Sequence, residues 1–238
     1  MGYVFKPDAM YLMPTISPMR IRTAPHYGDI TLIYVRYLTE REALAALLPH
    51  PFEPADEPVV RVYCLAAKQV DFMAGRGYNI VGVDLAAVFH GTKDYCAGNY
   101  AVVLWESDTI PIIAGREMLG APKLYADIPE PRQEGAACCF ECSLYGNKMV
   151  EGTVRNLIPL PAPAIREAEQ AANGSPWMGW KYIPKADWSG PDVSYATIIP
   201  CKFQLREVSV GEGSHKFHDR KWEEVLHSGL VLEGLRTL

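Results

Sequence analysis

The chain has 238 residues, 49% of them hydrophobic and 21% charged, and a formal net charge of -5. That length suits one sizeable domain with a real core. The acidic balance excludes a broad basic face for nucleic acid or anionic lipid, and no window nears the ~18 consecutive apolar residues of a membrane span.

The opening "MGYVFKPDAM" lacks the apolar stretch of a signal peptide, and Lys6 stands where myristoylation needs Ser or Thr, so a soluble cytoplasmic protein is expected. Three of the six cysteines crowd into "CCFEC". They read as free strand thiols, because disulfide frameworks belong to shorter secreted chains and the Cys139-x-x-Cys142 pair has no second half for zinc.

In chain order, "DITLIYVRYL" reads as a first strand. Thr39 and Glu42 then form a capping box before "ALAALL", a helix closed by Pro49 and Pro51. Strands follow in "EPVVRVYCLAAKQV", "YNIVGVDLAAVFH", "YAVVLWES", "TIPIIAG" and "KLYADIP". The runs "AACCFECSLY" and "KMVEGTVR" flank Gly146-Asn147 as a hairpin. The Pro-rich "NLIPLPAPA" is a surface excursion, and a second helix covers Ala164 to Ala172. "SYATIIPCKFQLREVSV" and the C-terminal "GLVLEGL" complete the strands. Turn residues rather than helices separate most of them, so a doubly wound sheet is not expected. The expectation is a mainly β (α+β) single domain over 1–238, an antiparallel β-barrel-like structure with a few short helices.

Familiar chemistries are mostly absent. "GRGYNIVG" breaks the G-x-G-x-x-G pattern at Ile80, and Walker, H-E-x-x-H and G-x-S-x-G motifs are missing. His215 and His218 lack the further partners a metal needs. What stands out is "GREMLGAPK", Gly115 to Lys123, where charged residues sit among small and apolar ones. A charge in such a setting finds a partner or becomes neutral, and a neutral lysine is a nucleophile. Met118, Leu119, Ala121, Pro122 and Leu124 offer no carboxylate, and Pro122 stiffens the approach to Lys123. The plain alternative is a surface lysine beginning a strand.

"GREMLGAPK" resembles the signature of the acetoacetate decarboxylase superfamily. "EREALAALLPHPFEP", "PVVRVYCL" and "YIPKADWSGPDVSYATIIP" resemble further segments of that superfamily, in order, across roughly positions 26 to 235. The resemblance implies an acetoacetate decarboxylase fold and a carbon-carbon lyase in which Lys123 forms a Schiff base with a small keto acid. It implies no metal or organic cofactor, since the iminium is the electron sink, and it implies a homo-oligomer. An ordinary lysine, with a pKa of ~10.4, is almost wholly protonated at neutral pH. The chemistry therefore needs a desolvated setting or a cationic neighbour, and acetoacetate decarboxylase is itself a known example of a lysine activated in this way.

Several positions depart from the pattern of the decarboxylase proper. Leu124 replaces a second lysine, Tyr63 a glutamate, and no carboxylate stands at 78 to 80. The resemblance thus points to Tyr63 and Tyr78 as proton-handling partners, as in relatives with aldolase-dehydratase activity. Arg116 or Glu117 would meet the substrate; adjacent residues on an extended segment face opposite ways, so one of them braces the loop. Trp105 and His26 would line the apolar wall. The second reading is a β-barrel that binds a small molecule without covalent catalysis.

Overall fold

The computed structural model describes residues 2–19 and 24–238. The larger of two sheets runs in the order β1 (Tyr27–Leu38), β3 (Val59–Val70), β4 (Tyr78–His90), β5 (Tyr95–Glu106), β10 (Trp177–Pro184) and β11 (Pro191–Ile199). The short β2 (Phe52–Pro54) lies beside β4, and β6 (Lys123–Tyr125) beside β5. Its pairings are antiparallel except that β5 runs parallel to both β10 and β6. The second sheet is β12 (Ser209–Phe217), β9 (Asn147–Pro159), β8 (Ala137–Leu144) and β7 (Arg132–Glu134).

The chain is therefore mainly β with short helices, but the expected barrel is not found. Among the described residues no closed barrel forms. Closure would need the terminal strands of one sheet to pair. Here β1 and β11 remain edges, and the two sheets share a core instead.

That core shows why the central strands read as nearly unbroken apolar runs. Successive residues on a strand face opposite ways, and both faces of β3, β4 and β5 are covered. Val60, Val62, Val81, Val83, Val103 and Trp105 enter the core shared with Phe140 and Cys142 of β8 and Met149 and Val150 of β9. Their alternates Tyr63, Leu65, Tyr78, Ile80 and Leu104 form a second cluster with Ala121 and Ile199 on the opposite face. The candidate site lies on this second face.

Three local expectations are corrected. "TIPIIAG" is helical, not extended: α2 spans Thr109–Ala114, following α1 (Arg41–Ala45). The Asp108 side chain accepts a hydrogen bond from Ile110 N at 2.8 Å, and Pro111 sits in the first turn where its missing N–H goes unneeded. After α3 (Ala162–Gly174) and α4 (Trp222–Val225), "GLVLEGL" belongs to α5 (His227–Leu235). Its buried Ser228, Leu232 and Leu235 recur at three to four residues, a helical period. The run from Ser194 to Val210 breaks after Ile199, before Pro200.

Smaller shifts follow from register. Thr39 does not cap α1; its hydroxyl donates to Leu238 O at 3.0 Å, and Glu40 occupies the N-cap. The β8–β9 turn is Tyr145–Gly146 rather than Gly146–Asn147, because Leu144 pairs with Asn147 and both turn residues have positive φ (52° and 78°). The six cysteines are free thiols. Among the described residues no helix is long and apolar enough to cross a membrane.

Candidate active site

"GREMLGAPK" folds as a hook. After β5 ends at Glu106, α2 runs directly into a π-helical turn over Gly115–Leu119, which Gly120 terminates at φ 70°. Left-handed geometry there suits glycine. The chain then doubles back so that Lys123 pairs with Leu104, in parallel with the strand it left. Both glycines also allow close packing. A Cβ at Gly120 would stand 2.4 Å from Lys181 Cβ and 2.6 Å from its Cα. One at Gly115 would stand 2.5, 2.7 and 2.7 Å from Cε, Cδ and Nζ of Lys123. The lysine side chain therefore lies across the face of Gly115.

Its amine reaches the end of β5. Lys123 Nζ lies 2.8 Å from Glu106 Oε1 and donates to Pro111 O at 3.1 Å. The side chains are 11% and 0% exposed. The approach to Oε1 is an ion-pair contact rather than a directed hydrogen bond, so neither Glu106 oxygen has a well-aligned donor among the described residues. Burial pushes the Glu106 carboxyl up to about 7, against the opposing pull of Lys123. A buried carboxyl that titrates near neutrality beside an amine can hold or return a proton during reaction.

Tyr27, Tyr63 and Tyr78 lie close enough to feel the Glu106 charge. Tyr78 is buried, and its hydroxyl lies 3.1 Å from that of Tyr27. Burial raises both phenols, and the Glu106 charge adds to each. Cys201, pushed up to about 11 chiefly by burial, feels Lys123 in the opposite sense. Tyr63 is fully buried, its ring stacked on Trp177 at 6.0 Å with planes 13° apart. Beyond it the fully buried Asp84 carboxylate pairs with Arg61 and accepts from Trp177 Nε1 at 2.9 Å.

Of the residues singled out in the sequence, Tyr63 and Tyr78 lie in the second cluster, and Lys123 reaches Glu106, whose charge both phenols feel. Arg116 is exposed and braces the hook, donating from Nη1 to Lys123 O at 2.9 Å. Glu117 is partly buried on the same turn. The segment is helical, so the opposite-face argument for this pair does not hold. Trp105 does not line the site: one residue before Glu106, it faces the shared core and donates to Ser228 Oγ at 3.0 Å. His26 is exposed at the start of β1, where its backbone N–H donates to Asp71 Oδ2 at 3.0 Å. Leu124 likewise packs against the shared core, so that position does not stand beside the amine.

Glu106 was missed, along with Arg61, Asp84 and Tyr27. No carboxylate stands at 78 to 80, but Ile80 pairs with Glu106 on the neighbouring strand. Its signal was a lone acid at a strand position alternating with buried Trp105 in "AVVLWE".

Comparison with known proteins shows the family. A protein of Cochliobolus heterostrophus named Decarboxylase DEC1 is 25% identical over 219 residues, covering 89% of this chain and 81% of its own. A solved acetoacetate decarboxylase superposes with a TM-score of 0.76 at 19% identity, over 92% of this chain and 85% of that one. The enduracididine biosynthesis enzyme MppR, solved with the condensation product of pyruvate and imidazole 4-carboxaldehyde, superposes at 0.69 and 16% identity over 92% and 87%. The family profile of acetoacetate decarboxylase matches residues 12–236, and the chain belongs to that family.

Proposed function

We propose that the protein is a carbon-carbon lyase in which Lys123 forms a Schiff base with a small keto acid. The observation that carries this reading is the buried Glu106 carboxyl held 2.8 Å from an almost enclosed lysine amine. The uncharged amine adds to the ketone carbon. The resulting carbinolamine loses its hydroxyl as water, taking the proton of neutral Glu106, and an iminium remains. Lys123 lying across Gly115 supports the reading, because it fixes the direction of attack.

Two reactions share this iminium. With a β-keto acid, the bond to the carboxylate breaks, its electron pair forms an enamine and carbon dioxide leaves. With an α-keto acid, loss of a proton beside the iminium gives an enamine that adds to an aldehyde. Tyr78 favours the second, since its buried hydroxyl, which feels the charge of Glu106, suits proton transfer to and from an oxygen substituent. MppR, similar in fold, was solved with a pyruvate condensation product.

Two assays test this. In deuterated water the enzyme should exchange the methyl protons of pyruvate, with exchange lost in Lys123→Arg. Carbon dioxide release from acetoacetate should stay well below a typical turnover of ~10 per second. Fast release would favour decarboxylation. Absence of both, with keto acids still bound, would leave a binding protein without covalent catalysis.

A further inference from the structure

The strand register links the lysine to a second polar group, whose role rests on the Schiff-base reading above. Lys123 on β6 pairs with Leu104 on β5, Leu104 with Gly82 on β4, and Gly82 with Tyr63 on β3. Gly82 is the gap in this row. A Cβ there would lie 2.4 Å from Tyr63 Cζ and 2.5 Å from its hydroxyl oxygen. The phenol therefore lies flat across β4, with its hydroxyl carried toward β5 and β6. With strands ~4.8 Å apart, β4 and β6 are separated by about 10 Å. An imine on Lys123 and a short carbon chain can span that distance.

The groups at the far end have unused hydrogen-bonding capacity. Tyr63 Oη, Asp84 Oδ1 and Arg61 Nε are all buried without a well-formed hydrogen bond among the described residues, although the Tyr63 hydroxyl stands close enough to the Asp84 carboxylate to help stabilise its charge. Arg61 and Asp84 are cross-strand partners, and the Arg61 guanidinium rests 5.2 Å from the centre of the Tyr63 ring. The other half of Asp84 is occupied, since Oδ2 serves Arg61 and Trp177. The cluster thus offers an acceptor, an N–H donor and a hydroxyl. Arg61, with 21% of its side chain exposed, forms its open side.

We propose that Tyr63, Asp84 and Arg61 form a hydroxyl-binding subsite that selects keto acids carrying a neutral hydroxyl group remote from the ketone. A hydroxyl can donate to Asp84 Oδ1 while accepting from Tyr63 or Arg61 Nε. A hydrocarbon tail would leave all three groups unused, which is unfavourable for buried polar atoms. A second carboxylate would fare no better, because Asp84 already matches the Arg61 charge and another anion would be uncompensated in an interior setting.

The test is the concentration that half-saturates borohydride-trapped adduct on Lys123. The probes are 2-oxobutanoate and its 4-hydroxy derivative, 2-oxopentanoate and its 4-hydroxy and 5-hydroxy derivatives, and 2-oxoglutarate. One hydroxy acid should half-saturate at a concentration at least tenfold below its unsubstituted parent, the ratio expected of a hydrogen bond to a charged group. Tyr63→Phe keeps the ring stack and should cut that ratio while leaving the parent acid unchanged. Asp84→Asn frees the Arg61 charge and should turn the preference toward 2-oxoglutarate. If Asp84→Asn fails to fold by thermal melting, Tyr63→Phe decides alone. A ratio below tenfold for every hydroxy acid, or a full ratio in folded Tyr63→Phe, overturns the subsite with the Schiff base intact. No adduct from any acid overturns both.

Discussion

Two residues, Gly115 and Glu106, lie against the Lys123 side chain. Gly115 is buried in the π-helical turn with an ordinary helical φ of -67°, so alanine there meets no backbone strain. The nearest atoms to a new Cβ would be those at the end of the Lys123 side chain, 2.5 to 2.7 Å away. Gly115→Ala should therefore keep its melting temperature within a few degrees and lose at least tenfold in imine formation, measured as the rate of hydride trapping. Glu106 gives a pH signature. Its carboxyl moves from an ordinary 4.5 to about 7 in the folded protein. Between those values the native state holds a proton that the unfolded chain has released, so this contribution to stability is complete below pH 4.5 and lost as pH rises through 7. The shift corresponds to about 3 kcal/mol. Urea midpoints should fall across that window, and Glu106→Gln should flatten the fall; an unchanged slope would assign it to other groups.

At the level of elements, legibility followed the rule that each local signal obeys. "YNIVGVDLAAVFH" stands as β4 with the expected bounds, and the β8–β9 hairpin was found with its turn one residue late, because alternation and turn residues act locally. "TIPIIAG" misled because β-branched residues favour strands, whereas the Asp108 cap and the proline in the first turn decide the outcome. Lys123 was legible from its motif. Its partner Glu106 was not, because β5 and β6 are brought together by a parallel pairing that no local signal encodes. The hook between them is also the element most sensitive to its termination. At Gly120 a side chain would face both φ 70° and the Lys181 backbone, its Cα 2.6 Å away. Gly120→Ala should destabilise the protein by at least about 2 kcal/mol in denaturant titration. It should also slow trapping by displacing β6. Wild-type stability would show that the hook docks loosely.

Across the whole molecule, the two faces of β3, β4 and β5 divide the work. One face fills the core shared by both sheets, and the other carries the lysine, the buried acid and the tyrosines. Because that shared core draws side chains from both sheets, thermal unfolding should be a single cooperative transition by calorimetry, as for one domain. Two separable transitions would mean that the sheets fold independently. Trp105→Phe removes the bond to Ser228 and part of that core. It should lower stability by about 1–3 kcal/mol while leaving imine trapping unchanged at a temperature where the variant is folded. The covalent role of Lys123 itself is tested most directly by incubating the protein with a small keto acid and borohydride, digesting it and weighing the peptide that contains Lys123. The account predicts a reduced-imine mass on that residue, absent without keto acid and absent in Lys123→Arg. An unmodified Lys123 in protein that demonstrably binds the keto acid would contradict it.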